Sequence, residues 1–327
     1  MTVSVAIATY NGSEYLEEQL KSILDQTTLP DEVIICDDGS SDSTHLIIKT
    51  FLKKAPFKVK FYENPLRLGY AKNFEKAIFK CVSDLIFLSD QDDIWHKDKI
   101  KTVVDYFNSD NRVMLIVHDA EIVTADGVQT GLTVANQIIA QGLSTDQLLL
   151  GCCMAFRAKL KPIIIPVPHL THGHDGWINT IGCHLKCRKF IPEILQKYRR
   201  HSANTSTQRF TSTQKVNLFY SLKDKVYDKS LKNSPLSASV KRLNNINIVV
   251  DRITSRRPHI ESILSNGDVY STTLADLENI RQNYISRLNI QKLPLSKRLL
   301  PCARFYMTGG YRLHDGILSL IRDIFFK

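Results

Sequence analysis

The tightest constraint on this chain's fold is the alternation of short apolar runs with amphipathic segments over its first third. Val3–Ala8, Glu32–Cys36, Phe57–Tyr62 and residues 84–89 read as strands. Between them, apolar residues recur at helical spacing: Leu16, Leu20, Ile23 and Leu24, then Leu46 to Leu52, then Phe74, Ala77 and Ile78. Ser13 stands where it can cap the first of these helices, and Leu29-Pro30 ends it. This pattern predicts an α/β domain built on a mostly parallel sheet with helices on both faces. Three strands end in polar turns: Thr9–Gly12, Asp37–Asp42 and Asp90–Asp93. Right-handed crossovers place such turns along one edge, so they should line one crevice.

The third turn is the most unusual. After the apolar residues Ile86, Phe87 and Leu88 come Asp90, Asp92 and Asp93, three carboxylates within four positions. Like charges this close repel and raise one another's pKa, and a divalent cation removes the penalty. Hard oxygen ligands select Mg²⁺ or Mn²⁺. Ligands of open α/β sheets bind beyond the carboxyl ends of the strands. The stretch therefore reads as the seat of a metal-bound diphosphate.

Further along, His96–Asn108 reads as a helix and Val113–Val117 as a strand followed by His118-Asp119. Ala125-Asp126-Gly127 has the look of a hairpin turn. Leu148–Phe156 reads as a strand, Trp177–Cys183 as a helix and Lys186–Ile191 as a strand. The Ser-, Thr- and Gln-rich residues 202–214 suggest a linker, and beyond them the pattern is helical, with breaks near Asn233-Ser234-Pro235, Pro258, Asn266-Gly267 and Pro294. The last helix carries Leu313, Ile317, Leu320, Ile321 and Ile324 on one face. Two regions are expected, 1–205 and a basic helical 206–327.

Charge divides at about the same place. Residues 1–200 are net −1, whereas residues 201–327 are net +11. An anionic membrane surface or nucleic acid could answer such a segment, but no nucleic-acid module is recognisable in it, so nucleic acid is not expected. No run approaches the length of a membrane span, and the N-terminus opens directly into a strand without a leader pattern. Seven cysteines, one of them (Cys36) in a core strand, point to reduced thiols and a cytoplasmic protein. His172, His174, Cys183, His184 and Cys187 invite a zinc reading, but their spacing is loose and packing explains them better.

Taken together, the motifs resemble glycosyltransferase family 2, nucleotide-sugar transferases of the GT-A fold. The likeness covers roughly residues 1–205. Its carriers are Ala8-Thr9-Tyr10-Asn11-Gly12, Asp37-Asp38-Gly39-Ser40-Ser41-Asp42, Ser89-Asp90-Gln91-Asp92-Asp93-Ile94-Trp95, His174-Asp175-Gly176-Trp177 and Tyr198-Arg199-x-His201-x-x-Asn204. The Asp-Gln-Asp-Asp-x-Trp form is similar to the bacterial branch that builds O-antigen, capsule and other cell-surface glycans. By this resemblance, Thr9, Asn11, Asp38 and Asp90 would hold the nucleotide. Asp92 or Asp93 would bind the metal directly, His201 would complete the metal or diphosphate site, and Asp175 would be the catalytic base. Two motifs depart from the common form. His174-Asp175 replaces Glu-Asp, as in some relatives of that branch, and the last motif reads Arg200-His201-Ser202 instead of Gln-His-Gly. The Gln-x-x-Arg-Trp motif of processive synthases is absent.

The implied activity is an inverting, metal-dependent, non-processive transfer of a sugar. The donor would be a UDP- or dTDP-linked nucleoside-diphosphate sugar, and the acceptor a hydroxyl on a glycan or lipid-linked molecule. The enzyme would sit peripherally on the inner face of the cell membrane. Two alternatives stand beside it. A nucleotidyltransferase also uses paired acids, but would need a Gly-rich, basic loop after the first strand, which Thr9–Gly12 does not supply. A catalytically silent nucleotide-sugar-binding protein would bind without turnover. A dinucleotide oxidoreductase is disfavoured because no Gly-x-Gly-x-x-Gly follows a strand.

Overall fold

In the computed structural model of the chain, β1 (Val3–Thr9), β2 (Glu32–Asp37), β3 (Lys58–Glu63) and β4 (Leu85–Ser89) lie side by side and parallel. The structure describes residues 1–169, 173–204, 211–216, 235–264 and 268–326. The chain divides into two units, Met1–Leu218 and Phe219–Lys327.

In the first unit the sheet order is β3-β2-β1-β4-β8-β6-β9-β5, where β5 is Ile94–Trp95, β6 Leu115–Val123, β8 Met154–Arg157 and β9 Arg188–Arg199, with β7 (Gln129–Thr133) paired to β6. The strands added after residue 90 bring the antiparallel pairings. The short β8 (Met154–Arg157) runs antiparallel between β4 and β6 (Leu115–Val123). It is shorter than the strand expected over 148–156, because residues 151–153 form a tight turn first. β6 and β7 (Gln129–Thr133) form the hairpin expected around Ala125–Gly127. β9 (Arg188–Arg199) runs parallel to β6 and extends well past Ile191. Between Ile191 and Ile194 its register slips against His118 and Asp119, and Pro192 sits in that bulge, where the ladder needs no donor.

Helices α1 (Leu16–Leu24), α3 (Tyr70–Lys80) and α4 (Lys99–Ser109) bury the faces that their spacing marked, whereas α2 (Thr44–Lys54) buries Ile48 and Phe51 and leaves Leu46 and Leu52 exposed. Leu16, Leu20 and Ile23 join Val5, Ile7, Ile35 and Phe87 in one core cluster. Ser13 does not cap α1, which starts after Tyr15; its backbone N–H instead donates to Asp42 at 3.0 Å. α4 begins at Lys99, later than expected, because the pairing of β5 (Ile94–Trp95) with β9 carries on into His96, whose N–H donates to the Leu195 carbonyl at 2.9 Å. Then follow α5 (Val134–Ala140), α6 (Lys161–Ile164) and α7 (Gly173–His184). Of the expected linker, residues 205–210 lie outside the described part. Residues 211–216 are tied to α5: Gln137 donates to the carbonyls of Ser212 and Gln214 and accepts from the N–H of Val216.

The second unit is helical: α8 (Pro235–Ser255), α9 (Arg257–Ile263), α10 (Asp268–Gln291), α11 (Leu299–Met307) and α12 (Ile317–Phe325). Pro235 and Pro258 each open a helix, where a missing N–H costs nothing. The breaks expected at Asn233-Ser234 and Asn266-Gly267 lie outside the described residues. α12 is amphipathic as expected, but its buried face is the polar one, Ser319 and Asp323. The Asp323 carboxylate accepts from Arg287 at 2.7 and 3.1 Å, Gln291 at 2.6 Å and Tyr311 at 3.0 Å. Among the described residues, no helix is long and apolar enough to cross a membrane.

Candidate active site

The three polar turns meet, and side chains lock them together. Thr9 donates its hydroxyl to Asp37 at 2.6 Å. Asn11, held at a positive φ of 46°, donates its N–H to the Ser40 hydroxyl and accepts from the N–H of Ser41. Gln91 links the first turn to the third, accepting from the N–H of Tyr10 at 2.9 Å and donating to its carbonyl at 3.1 Å. A Cβ at Gly12 would lie 2.4 Å from Gln91 Oε1, so a side chain there would have to displace the Gln91 amide from Tyr10. The Arg67 guanidinium stacks over the Tyr10 ring, 3.9 Å from its centroid.

In the second turn, Asp37 accepts from Ser40, Gly39, Thr9 and His45. Burial pushes its carboxyl up, but these donors outweigh it and hold it below its usual range. Asp38 is buried, and its oxygens accept from Asn64, Leu68 N–H and Gly69 N–H at 2.9, 2.7 and 2.8 Å. The side chain thus braces the 64–69 loop from beneath the crevice.

The third turn separates its carboxylates. Asp92 faces His201 Nε2 at 2.8 Å and Asn204 Nδ2 at 3.1 Å, all three partly exposed. Asp93 is buried and accepts from Gln196 at 2.9 Å and from the Arg199 N–H at 3.2 Å. Burial, and then the Asp92 charge, push Asp93 up to about 7. Asp90 is also raised, by burial first and then by Asp92, Asp93 and Asp175. Asp90, Asp93 and Cys152 form a group with ligand atoms within 4.8 Å of one another.

Behind this group lies Lys99, fully buried, donating to the Cys152 carbonyl at 2.8 Å and to Gln196 Oε1 at 2.6 Å. Its ammonium also lies 3.9 Å from the Trp95 ring centroid. Gln196 in turn donates to Asp93, so one buried cation supports the acidic turn from within. Arg199 donates to the Asp92 carbonyl at 3.0 Å and pairs with Glu18. Lys99, Cys152 and Gln196 have no local sequence pattern that marks them; only the fold brings them here.

Asp175 sits in the first turn of α7, and its charge contributes to raising the Asp90 carboxyl. Burial raises its carboxyl to about 6. Gly173, at φ +67°, leaves room for the Tyr70 hydroxyl beside the Asp175 carboxylate: a Cβ there would stand 2.8 Å from one and 3.0 Å from the other. His174 is buried and stacks on Phe74 at 4.1 Å, and burial lowers it to about 3, so it is neutral. His172 lies outside the described residues. Among those described, His174, Cys183, His184 and Cys187 form no metal-binding group. All seven cysteines are free thiols.

The structure thus brings Thr9, Asn11 and Asp38 to one end of the crevice and Asp90, Asp92, Asp93 and His201 to the other. Asp175 comes in from α7.

Comparison with known proteins agrees with the fold. Residues 4–157 match the family model described as Glycosyl transferase family 2. The chain is 43% identical over 112 residues to the dTDP-rhamnosyl transferase RfbG of Shigella flexneri, covering 32% of this chain and 38% of that protein. It is 25% identical over 217 residues to the UDP-Glc:alpha-D-GlcNAc-diphosphoundecaprenol beta-1,3-glucosyltransferase WfgD of Escherichia coli, covering 64% of this chain and 81% of that one. The S. aureus TarS 1-349 structure in complex with UDP shares the fold at a TM-score of 0.55 and 17% identity, covering 99% of this chain and 89% of that chain. Residues 4–157 are therefore a glycosyltransferase family 2 domain, and the chain is an enzyme of the glycosyltransferase class.

Proposed function

We propose that this enzyme moves one sugar from a UDP- or dTDP-linked nucleoside-diphosphate sugar to a hydroxyl of a glycan or lipid-linked acceptor, with inversion, in cell-surface polysaccharide synthesis. The observation that carries the reading is the placement of Asp175: a carboxylate raised to about 6, on a separate helix, within electrostatic reach of the acidic turn beyond β4. The relatives named above, a rhamnosyl and a glucosyl transferase, support the substrate class. The Asp-Gln-Asp-Asp form supports the bacterial polysaccharide branch.

In this mechanism the acceptor hydroxyl attacks the anomeric carbon opposite the nucleoside diphosphate, and Asp175 takes its proton. A carboxylate near neutrality suits a base that must be ionised yet accept a proton. The Tyr70 hydroxyl beside it helps orient the acceptor. Thr9, Asn11 and Asp38 form the nucleotide end, and the fixed orientation of both substrates supplies much of the rate.

A divalent cation fits the third turn on donor chemistry: hard carboxylates with one imidazole suit Mn²⁺ or Mg²⁺. Asp92 and His201 are the direct ligands in this reading, because they face each other at the accessible mouth. Asp93 backs them, since Gln196 and Arg199 already hold it and Lys99 already supplies a positive charge nearby. When bound, the cation stabilises the charge of the departing diphosphate. The enzyme works peripherally at the inner face of the cell membrane, where a lipid-linked acceptor is presented.

The test is a screen of UDP- and dTDP-sugars for Mn²⁺-dependent donor hydrolysis, with Asp175→Asn as the control. Hydrolysis by wild type and not by the variant is the expected result. Binding of nucleotide sugars with no turnover of any donor would refute the reading in favour of a silent binding protein.

A further inference from the structure

We propose that the outward face of α11 and α12 is a docking surface for an anionic lipid bilayer. This deepens the peripheral-membrane reading above and rests on it. The first observation is the inverted packing of α12. A helix on a folded unit normally turns its apolar stripe inward. Here Ser319 and Asp323 take the inward side, and the Asp323 carboxylate holds Arg287, Gln291 and Tyr311. The backbone oxygens of Asp323 and Phe326 accept from Arg298 at 3.0 and 2.7 Å, which pins the helix in that rotation. Its apolar stripe therefore faces solvent: Ile317 is 57% exposed, Ile321, one turn on, 43% and Phe325, a turn further, 68%. Met307 at the end of α11 is 78% exposed. It lines a cavity of about 300 Å³ together with Tyr306, Arg312 and Ile317, so the two helices contribute to one face. Contiguous apolar surface on this scale marks an interaction site.

Charge selects the occupant. Residues 292–327 hold seven Lys and Arg against two Asp. Both acids are engaged within the unit, Asp323 by Arg287 and Asp315 by Arg322 at 3.3 Å. Lys292, Lys297, Arg304 and Arg312 are exposed. Arg312 lines the same cavity as Met307 and Ile317, and Arg304 lies on α11, so exposed cations accompany the apolar side chains, which matches a bilayer, with acyl chains beneath a layer of phosphates. A second copy of the chain would set the same cations against one another, which opposes self-association.

The test uses the full chain and vesicles of equimolar phosphatidylcholine and phosphatidylglycerol, with phosphatidylcholine alone as the neutral comparison. Wild type should float with the anionic vesicles at low salt, not with the neutral ones, and high salt should weaken binding about tenfold or more. The double variant Ile317→Asp with Ile321→Asp should lower the bound fraction at least about tenfold. Leu46→Asp, on exposed surface of the other unit, should not. Donor hydrolysis should be unchanged in both variants, which separates this surface from the catalytic reading. Absence of flotation by wild type at low salt would overturn the surface and the membrane reading together. Equal flotation of wild type and the double variant would overturn this surface alone. A wild type that is dimeric by light scattering, does not float, and becomes monomeric in the double variant would show a contact between copies and overturn the proposal.

Discussion

Replacing the proposed base, Asp175→Asn, should make the protein more stable and nearly inert at once. Burial raises the Asp175 carboxyl from 3.8 to about 6, so its ionised form costs folding free energy. At about 1.4 kcal/mol per tenfold in affinity, that rise corresponds to about 3 kcal/mol. Asp175 keeps part of its surface in solvent, and screening reduces the figure to about 1.5 kcal/mol. The folded protein holds this proton more tightly than the unfolded chain. Wild type therefore loses stability as pH rises from about 4 to about 6, and the deficit is complete above that. Asn does not titrate, so the variant should match wild type near pH 4 and exceed it near pH 8 by about 3–6 °C in Tm. Thermal and urea midpoints measured across this range in chelator, with turnover measured in Mn²⁺, check both halves. Turnover should fall on the order of 10²–10⁴-fold, while wild-type kcat/KM should rise with pH through about 6. A variant no more stable at high pH than at low, a variant with near-normal turnover, or a product that retains the donor's anomeric configuration would each refute the reasoning.

Three further outcomes are expected. Asp92→Asn should weaken Mn²⁺ binding at least about tenfold by calorimetry while leaving the thermal midpoint close to wild type; unchanged Mn²⁺ affinity would move the direct ligand elsewhere. Gly12→Ala drives a Cβ into Gln91, 2.4 Å from its oxygen, and should cost about 1–2 kcal/mol in urea denaturation; adding Gln91→Ala should recover part of that loss, and no recovery would place the clash elsewhere. Lys99→Met strips the donor from Gln196 and the Cys152 carbonyl and leaves Asp93 without its nearby cation, at a cost of about 3 kcal/mol; a urea midpoint equal to wild type would show that Lys99 does not support the acidic turn.

Much of the first unit was legible because its signals are local. Alternating strands and helices, and turns rich in Asp and Gly, announce themselves within a few residues of sequence. What escaped depends on partners far apart in the chain. The length of β9 follows from its pairing with β6, and the brevity of β8 from the turn that precedes it. Asp38 sits in the expected turn, yet its oxygens are taken by Asn64 and the N–H groups of Leu68 and Gly69. Lys99 looks like any lysine at a helix start, and only burial against Trp95 and Gln196 marks it. The apolar stripe of α12 was evident from spacing, but periodicity says nothing about which side meets the core; Arg287 and Arg298, drawn to Asp323, decide that.

The Gln91 amide has a consequence for how ligands would communicate. It grips both the N–H and the carbonyl of Tyr10 while standing between Asp90 and Asp92. The two ends of the crevice are therefore tied by two hydrogen bonds at this point, so a shift at one would strain the contact with the other. If a cation orders the acidic turn, it would through this contact also favour order in the turn that begins at Thr9, and the reverse would hold by the same free energy. Nucleotide and metal would then tighten each other's binding through a single uncharged side chain that need touch neither.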